Sequence, residues 1–286
     1  MAPDGVGDSF GFVLAFDAAY TRMATALVHA LQHFHPGHPI RVYTMPDELA
    51  ALRAWSRRLG DVEVIAYQAP AALDAGEWHP LIWAKLEAFA DEDSGLKVVL
   101  DVDQILYGPV SDHVADAIVS GRCISASPDI TDLRGHVQAW FTGSPLEALV
   151  GVPCFNAGAM VVRPSRPVYQ ELLALARRHH AEVRLPEQAI LNLWARRHGG
   201  HHDLGEAFML HPWSPRVLEA RPACLIHFWT PRPAFFGASP SRSLEPSLQE
   251  CLTRFEQDTG RRYPLERFEH DFTVRLHNTL AAAGEP

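Results

Sequence analysis

The sequence predicts an α/β fold with a central, mostly parallel sheet flanked by helices. Three observations carry this. Short apolar runs alternate with segments of helical spacing over residues 11–67, a βαβαβ pattern that implies parallel strands with helices on the sheet faces. The 286 residues are 47% hydrophobic and 21% charged, an ordinary globular composition that excludes a disordered or fibrous chain. No apolar run approaches the ~18 residues of a membrane span.

The elements follow in order. Residues 11–16, GFVLAF, form a continuous apolar run and read as a buried strand. Met23, Leu27, Ala30, Leu31 and Phe34 recur at helical spacing and predict a helix over 21–34, stopped by the Pro and Gly of HPGHP at 35–39. Residues 40–44 are a second strand. Residues 47–59 are a second helix with Asp47 as its N-cap, and 62–67 a third strand. Further on, 81–91, 167–179 and 186–198 read as helices, and 97–103, 123–127, 157–163 and 224–229 as strands. Residues 237–248 are rich in Ser and Pro and read as a loop, and the tail from 246 reads as one or two peripheral helices.

The net charge of −9 and pI of about 5.9 argue against a nucleic-acid binder, whose footprint is usually basic. The N-terminus lacks basic residues and an apolar core, so no signal peptide is expected. Cys123, Cys154, Cys224 and Cys251 form no CxxC pair and are expected to be reduced thiols of a cytoplasmic protein. The histidines around residues 33–38 and 198–202 lack zinc spacing and read as loops.

The most informative segment is Lys97-Val98-Val99-Leu100-Asp101-Val102-Asp103. Along a strand Asp101 and Asp103 would share a face. Two like charges so close are costly unless a cation neutralises them, and hard oxygen ligands suit magnesium or manganese. Ligands of open α/β sheets bind beyond the carboxyl ends of the strands, where this pair lies. Two solvated aspartates in a turn would show the same spacing. So would a haloacid dehalogenase-type phosphatase, but that chemistry needs a downstream lysine, and Lys97 is the last in the chain.

Four further segments fall into order with the pair. They are Ala15-Phe16-Asp17-Ala18-Ala19-Tyr20, Phe155-Asn156-Ala157-Gly158, Glu187-Gln188-Ala189-Ile190-Leu191-Asn192 and Ile226-His227-Phe228. Together they resemble retaining glycosyltransferases of family 8, which have a GT-A fold with a Rossmann-like nucleotide half. The resemblance spans roughly residues 11–233. It implies a GT-A domain over 9–236, with 237–286 as a loop and peripheral helices packed on the same domain.

The resemblance implies roles residue by residue. Ala15, Asp17 and Tyr20 would hold uracil and ribose, although a strand followed by an N-cap would show the same residues. Asp101, Asp103 and His227 would be the metal ligands, Val102 would line the donor site, and Lys85 would contact the donor. Asn156 and Asp129 would meet the sugar or acceptor, and Gly158 would let backbone approach the ligand. Gln188 would lie near the anomeric carbon. Glu187 stands where the family has aspartate, one methylene shorter. After His227 the family pattern breaks: Arg232-Pro233 sits one residue early and the expected glycine and tryptophan are absent. Arg232 remains able to meet phosphate bidentately.

The resemblance implies an enzyme that moves a hexose from a UDP-sugar to an acceptor hydroxyl of a glycan or small molecule, using Mn²⁺ or Mg²⁺. A catalytically weak nucleotide-sugar-binding protein of the same fold is the alternative. The sequence leaves open whether retention uses front-face attack or a covalent intermediate on Glu187.

Overall fold

The computed structural model describes residues 10–70, 73, 79–92, 95–129, 154–183, 186–212, 214–219, 223–228, 256–257, 259–262 and 264–282, with backbone alone for 265 and 275–282. The chain opens with strand β1 (Phe10–Ala15), helix α1 (Thr21–Phe34), strand β2 (Ile40–Thr44), helix α2 (Leu49–Ser56) and strand β3 (Val62–Ala66). The βαβαβ reading of this region matches the structure. Asp47 is not the N-cap of α2. Glu48 stands there without capping, because its Oε2 accepts the Ala18 N–H at 3.1 Å.

Next come a 3-10 helix (Pro80–Phe89), β4 (Leu96–Leu100), β5 (Gln104–Leu106), α3 (Ser111–Ser120) and β6 (Ile124–Pro128). They are followed by β7 (Phe155–Val162), α4 (Arg166–His179), α5 (Pro186–Arg197), β8 (His202–Asp203), the short α6 (Gly205–Phe208), β9 (Met209–Leu210), β10 (Leu225–His227) and α7 (Leu265–Ala282). Seven strands form one sheet in the order β3-β2-β1-β4-β7-β6-β8, and β5-β10-β9 form a small second sheet. β1, β2, β3 and β4 run parallel, whereas β7 runs antiparallel to both β4 and β6. The fold is therefore α/β with a mostly parallel central sheet, as the sequence predicts. The loop read over 237–248 lies outside the described residues.

Alternation along the strands feeds two cores. Phe12 and Leu14 of β1 and Val98 and Leu100 of β4 pack on the α1 side with Leu27, Leu31 and, from α7, Phe268 and Phe272. Val13 and Val99 face the other layer, where Trp83, Leu86 and Phe89 meet Ile190 and Leu191. Each fully buried side chain of this size contributes roughly 1.5–3 kcal/mol.

Three local features position the site. The strand expected over 97–103 stops at Leu100, and the chain bends through Asp101-Val102-Asp103 into the second sheet. The helix expected over 81–91 is wound as a 3-10 helix. At three residues per turn, side chains at i and i+3 eclipse. Trp83, Leu86 and Phe89 thus stack as one fully buried row, while His79, Ile82 and Lys85 form another along the cleft. Finally, β7 bulges against β6: Met160 pairs with Ala126 but Phe155 with Pro128. Such a bulge re-aims the strand, here bringing the Asn156 side chain and the Gly158 backbone to the cleft.

Candidate active site

The cleft lies at the carboxyl ends of β1 and β4, where open α/β sheets bind ligands. Ala15, Asp17, Tyr20, Lys85, Asp101, Val102, Asp103, Asp129, Asn156, Glu187, Gln188 and His227 all line it. Arg232 lies outside the described residues.

Asp101 and Asp103 do not share a strand face. They converge because the chain bends between two sheets, and β10 brings His227 to meet them. His227 Nε2 is 3.6 Å from Asp101 Oδ2 and 3.2 Å from Asp103 Oδ1. One ligand atom from each of the three residues lies within 4.8 Å of the others. The backbone fixes both halves: the Asp101 N–H donates to the Gly158 carbonyl at 2.7 Å and the Phe228 N–H to the Asp103 carbonyl at 2.8 Å.

The ring of His227 is held in one tautomer. Asn156 Oδ1 accepts the Gly158 N–H at 2.7 Å and lies 3.2 Å from His227 Nδ1. An amide oxygen only accepts, so Nδ1 carries a proton, and in the neutral imidazole that leaves the Nε2 lone pair facing the aspartates. Nε2 is buried without a hydrogen-bond partner. Two carboxylates and a neutral imidazole nitrogen around one point fit a divalent cation. Gly158 lines the cleft and has a further use beside the one expected. A Cβ there would stand 2.0 Å from His227 Cε1, so the glycine makes room for the His227 ring.

Behind this group runs a polar chain. Asp129 accepts from Asn156 Nδ2 at 3.2 Å and from Gln188 Nε2 at 2.9 Å. Gln188 Oε1 accepts the Ala157 N–H at 2.9 Å, so the amide is held at both ends. Asn192, also on α5, brackets Phe155 through its N–H and carbonyl and fixes the helix against β7.

On the facing wall Lys85 Nζ bonds Asp101 Oδ1 at 2.7 Å and Glu187 Oε1 at 2.9 Å. Burial pulls the ammonium pKa down, but the two carboxylates more than reverse this and hold it above the usual lysine value. Burial pushes the Glu187 carboxyl up, and Asp101 adds to this against the pull of Lys85. At the outer edge Asp17 Oδ1 accepts the Ala19 N–H at 2.9 Å, capping a single 3-10 turn. Val102 has its side chain in the core, so it offers the cleft only backbone.

Sequence reasoning missed three residues. His79 sits opposite Asp17, its Nε2 4.0 Å from Asp17 Oδ2, and its signal was the His-Pro pair that opens the 3-10 helix. Gln104 Nε2 donates to the Gly158 carbonyl at 2.5 Å. His211 Nε2 is 3.8 Å from Asp129 Oδ1, and burial together with His227 lowers its pKa to about 3. No sequence signal marked Gln104 or His211.

No protein-family model matches the chain, and no curated protein matches it. Solved structures do. The galactosyltransferase LgtC, in complex with donor and acceptor sugar analogs, aligns with a TM-score of 0.58 at 15% identity over 94% of this chain and 95% of its own. The bifunctional glycosyltransferase WbbM aligns at 0.59 and 14% identity over 96% of this chain, which spans 53% of WbbM. Mouse xyloside xylosyltransferase 1 aligns at 0.52 and 15% identity, over 76% of this chain and 97% of its own.

The fold is that of a glycosyltransferase.

In this glycosyltransferase fold the cleft opens at the carboxyl ends of β1 and β4, and the acidic bend lies at its floor. Among the described residues, no helix is long and apolar enough to cross a membrane. Cys123, Cys154 and Cys224 are free thiols, and Cys251 lies outside the described residues.

Proposed function

We propose that this chain is a divalent-metal-dependent glycosyltransferase that moves a hexose from a UDP-sugar to an acceptor hydroxyl with retention of configuration. The supporting observation is the convergence of Asp101, Asp103 and the lone pair of His227 Nε2 at the floor of the cleft in this fold. These three residues would hold Mn²⁺ or Mg²⁺. When bound, that ion supplies positive charge against the diphosphate leaving group. Residues 9–236 form the catalytic domain in this reading, with 237–286 packed on it.

The chain's own groups divide the remaining work. Ala15, Asp17 and Tyr20 hold the nucleoside at the outer edge of the cleft, with the tyrosine ring offering an apolar face to the base. Asp17 has one oxygen committed to its own turn, so Oδ2 serves the ligand. The Val102 backbone faces the donor, and Arg232 would meet its phosphates. Glu187 Oε2 is buried with no partner and accepts a sugar hydroxyl. Asp129 and the Ala157 N–H hold the Gln188 amide so that the second lone pair of Oε1 stabilises positive charge at the anomeric carbon. The acceptor hydroxyl attacks from the leaving-group face and gives its proton to a phosphate oxygen. A Glu187→Gln variant that keeps most of its turnover excludes a covalent intermediate on that residue.

Calorimetry of UDP with and without Mn²⁺, on the parent and on an Asp101→Ala/Asp103→Ala double variant, tests the reading. UDP binds the parent only with Mn²⁺, and the double variant loses that binding. UDP binding that ignores Mn²⁺ would overturn the metal assignment. UDP binding without turnover of any UDP-sugar would make the chain a nucleotide-sugar-binding protein.

A further inference from the structure

Lys85 stands between two carboxylates that belong to different parts of the cleft. It takes Oδ1 of Asp101 at 2.7 Å, and Oδ2 of the same residue is the oxygen that faces His227. It takes Oε1 of Glu187 at 2.9 Å, and Oε2 of that residue is buried with no partner. The Ala157 carbonyl, at 3.4 Å, completes its surroundings on the floor side. Lys85 and Glu187 are only 7% and 5% exposed, so little water screens that pair, while the Asp101 side chain is 27% exposed.

An ammonium group is a point charge with three donors. Here they serve the Ala157 carbonyl and two carboxylates, and the two carboxylates compete for the positive charge. Whatever draws Lys85 toward Asp101 takes it from Glu187, and the reverse also holds. A cation on Asp101 Oδ2 removes negative charge from Asp101 and releases Lys85 toward Glu187. A hydroxyl donated to Glu187 Oε2 weakens Glu187 as an acceptor and returns Lys85 toward Asp101. Thermodynamic linkage makes this influence reciprocal.

We propose that Lys85 is a positioning residue that couples the metal site to the sugar subsite. It holds one oxygen of each carboxylate and leaves the second free for its own ligand. Metal affinity is therefore set in part by Glu187, which offers the metal site no ligand atom. This inference rests on the metal and donor assignments proposed above.

The test compares two neutral replacements of one residue. Glu187→Gln keeps an oxygen for Lys85 Nζ, whereas Glu187→Ala keeps none, and both lose the same charge. Mn²⁺ affinity is measured by calorimetry in saturating UDP, which carries no sugar to touch residue 187. The coupling predicts that Glu187→Ala binds Mn²⁺ roughly fivefold or more weakly than Glu187→Gln, because Lys85 then falls wholly onto Asp101. In a Lys85→Met background the gap between the two replacements closes, and with Lys85→Arg it survives. Both Glu187 variants leave Lys85 paired with Asp101, so this arm stands even where Lys85→Met does not fold.

Equal Mn²⁺ affinities for the Gln and Ala variants, within about twofold, would overturn the coupling while leaving the metal site intact. A gap of the same size in Lys85→Met would also overturn it, because the effect would then run through another group. A parent protein that binds no Mn²⁺ in the presence of UDP would remove the metal assignment and the coupling together.

Discussion

The chain has two lysines, Lys85 and Lys97, and both are buried at opposite ends of the same sheet. Lys97 lies at the amino end of the strands, 2.6 Å from Asp91, which also pairs with Arg41. Arg41 in turn bonds Glu63 at 2.8 Å. Two cations there meet two carboxylates. At the carboxyl end Lys85 is a single cation against Asp101 and Glu187, with Asp103 and Asp129 beyond them.

The carboxylates record the difference. At the amino end burial pushes Asp91 up, yet its bonds to Lys97 and Arg41 more than reverse this and hold it below the usual value. Glu187 is left above the usual value despite Lys85. A matched cluster around a buried lysine is scaffold, since removing a partner leaves the buried charge less compensated, even though the outer member Glu63 is exposed. An unmatched one costs stability and persists where an outside cation completes it.

The largest expected effect separates the two ends. Asp101→Ala/Asp103→Ala should cut UDP-sugar turnover about 10³-fold, the several kcal/mol that a metal supplies to a leaving group. Its denaturant midpoint should not fall, because like charges have been removed. A large drop in the midpoint would make the acidic bend structural.

Asp91→Ala is the mirror experiment. It should cost roughly 3 kcal/mol of stability in urea unfolding, because Lys97 remains buried without that partner. Mn²⁺-dependent UDP binding should be unchanged. Loss of binding in a folded Asp91 variant would break the division between the ends.

Asn156→Leu tests the orientation of the His227 ring and its proposed role at the metal. Mn²⁺ affinity should drop roughly 10- to 100-fold, as for other partners that fix a ligating histidine. Nitrogen NMR should show His227 losing its Nδ1–H preference. An unchanged tautomer would mean that Asn156 does not set the ring.

The smallest effect is a pH dependence at the amino end. His35 is buried, its Nε2 accepts the Val110 N–H at 3.0 Å, and burial with the nearby His38 lowers its pKa from 6.5 to about 4. Between those values the unfolded chain binds the proton and the folded one does not. Stability is thus fully present above pH 6.5 and falls as pH drops toward 4, by on the order of 2 kcal/mol. Urea titrations at pH 7 and 5 should show the loss, and a His35→Gln variant should be flatter over that range.

Much of this was legible in the sequence because it rests on local pattern. The βαβαβ opening needs only alternation and period, and the bounds of β2 are those read from IRVYT. The acidic pair and His227 stand out because chemistry restricts which residues serve a metal. What was not legible is set at long range. The break after Leu100 depends on β10 pairing with β5, three residues against three. The bulge in β7 and the very short β8 and β9 carry little signal of their own. The Lys85 clamp joins residues 102 positions apart, and no spacing rule reaches that far.

The three-residue winding of the 3-10 helix has a practical consequence for redesign. Its two faces do not blend into each other as those of a wider helix would. Trp83, Leu86 and Phe89 belong to the interior and tolerate little. His79 and Ile82 share the cleft-facing row with Lys85, but Ile82 also packs against the core beneath and His79 Nδ1 accepts the Leu81 N–H, so a substitution there must keep residue 82 apolar and residue 79 able to cap. An engineer seeking a different donor or acceptor would vary positions 79 and 82 within those limits, and would leave Lys85 and the buried row alone.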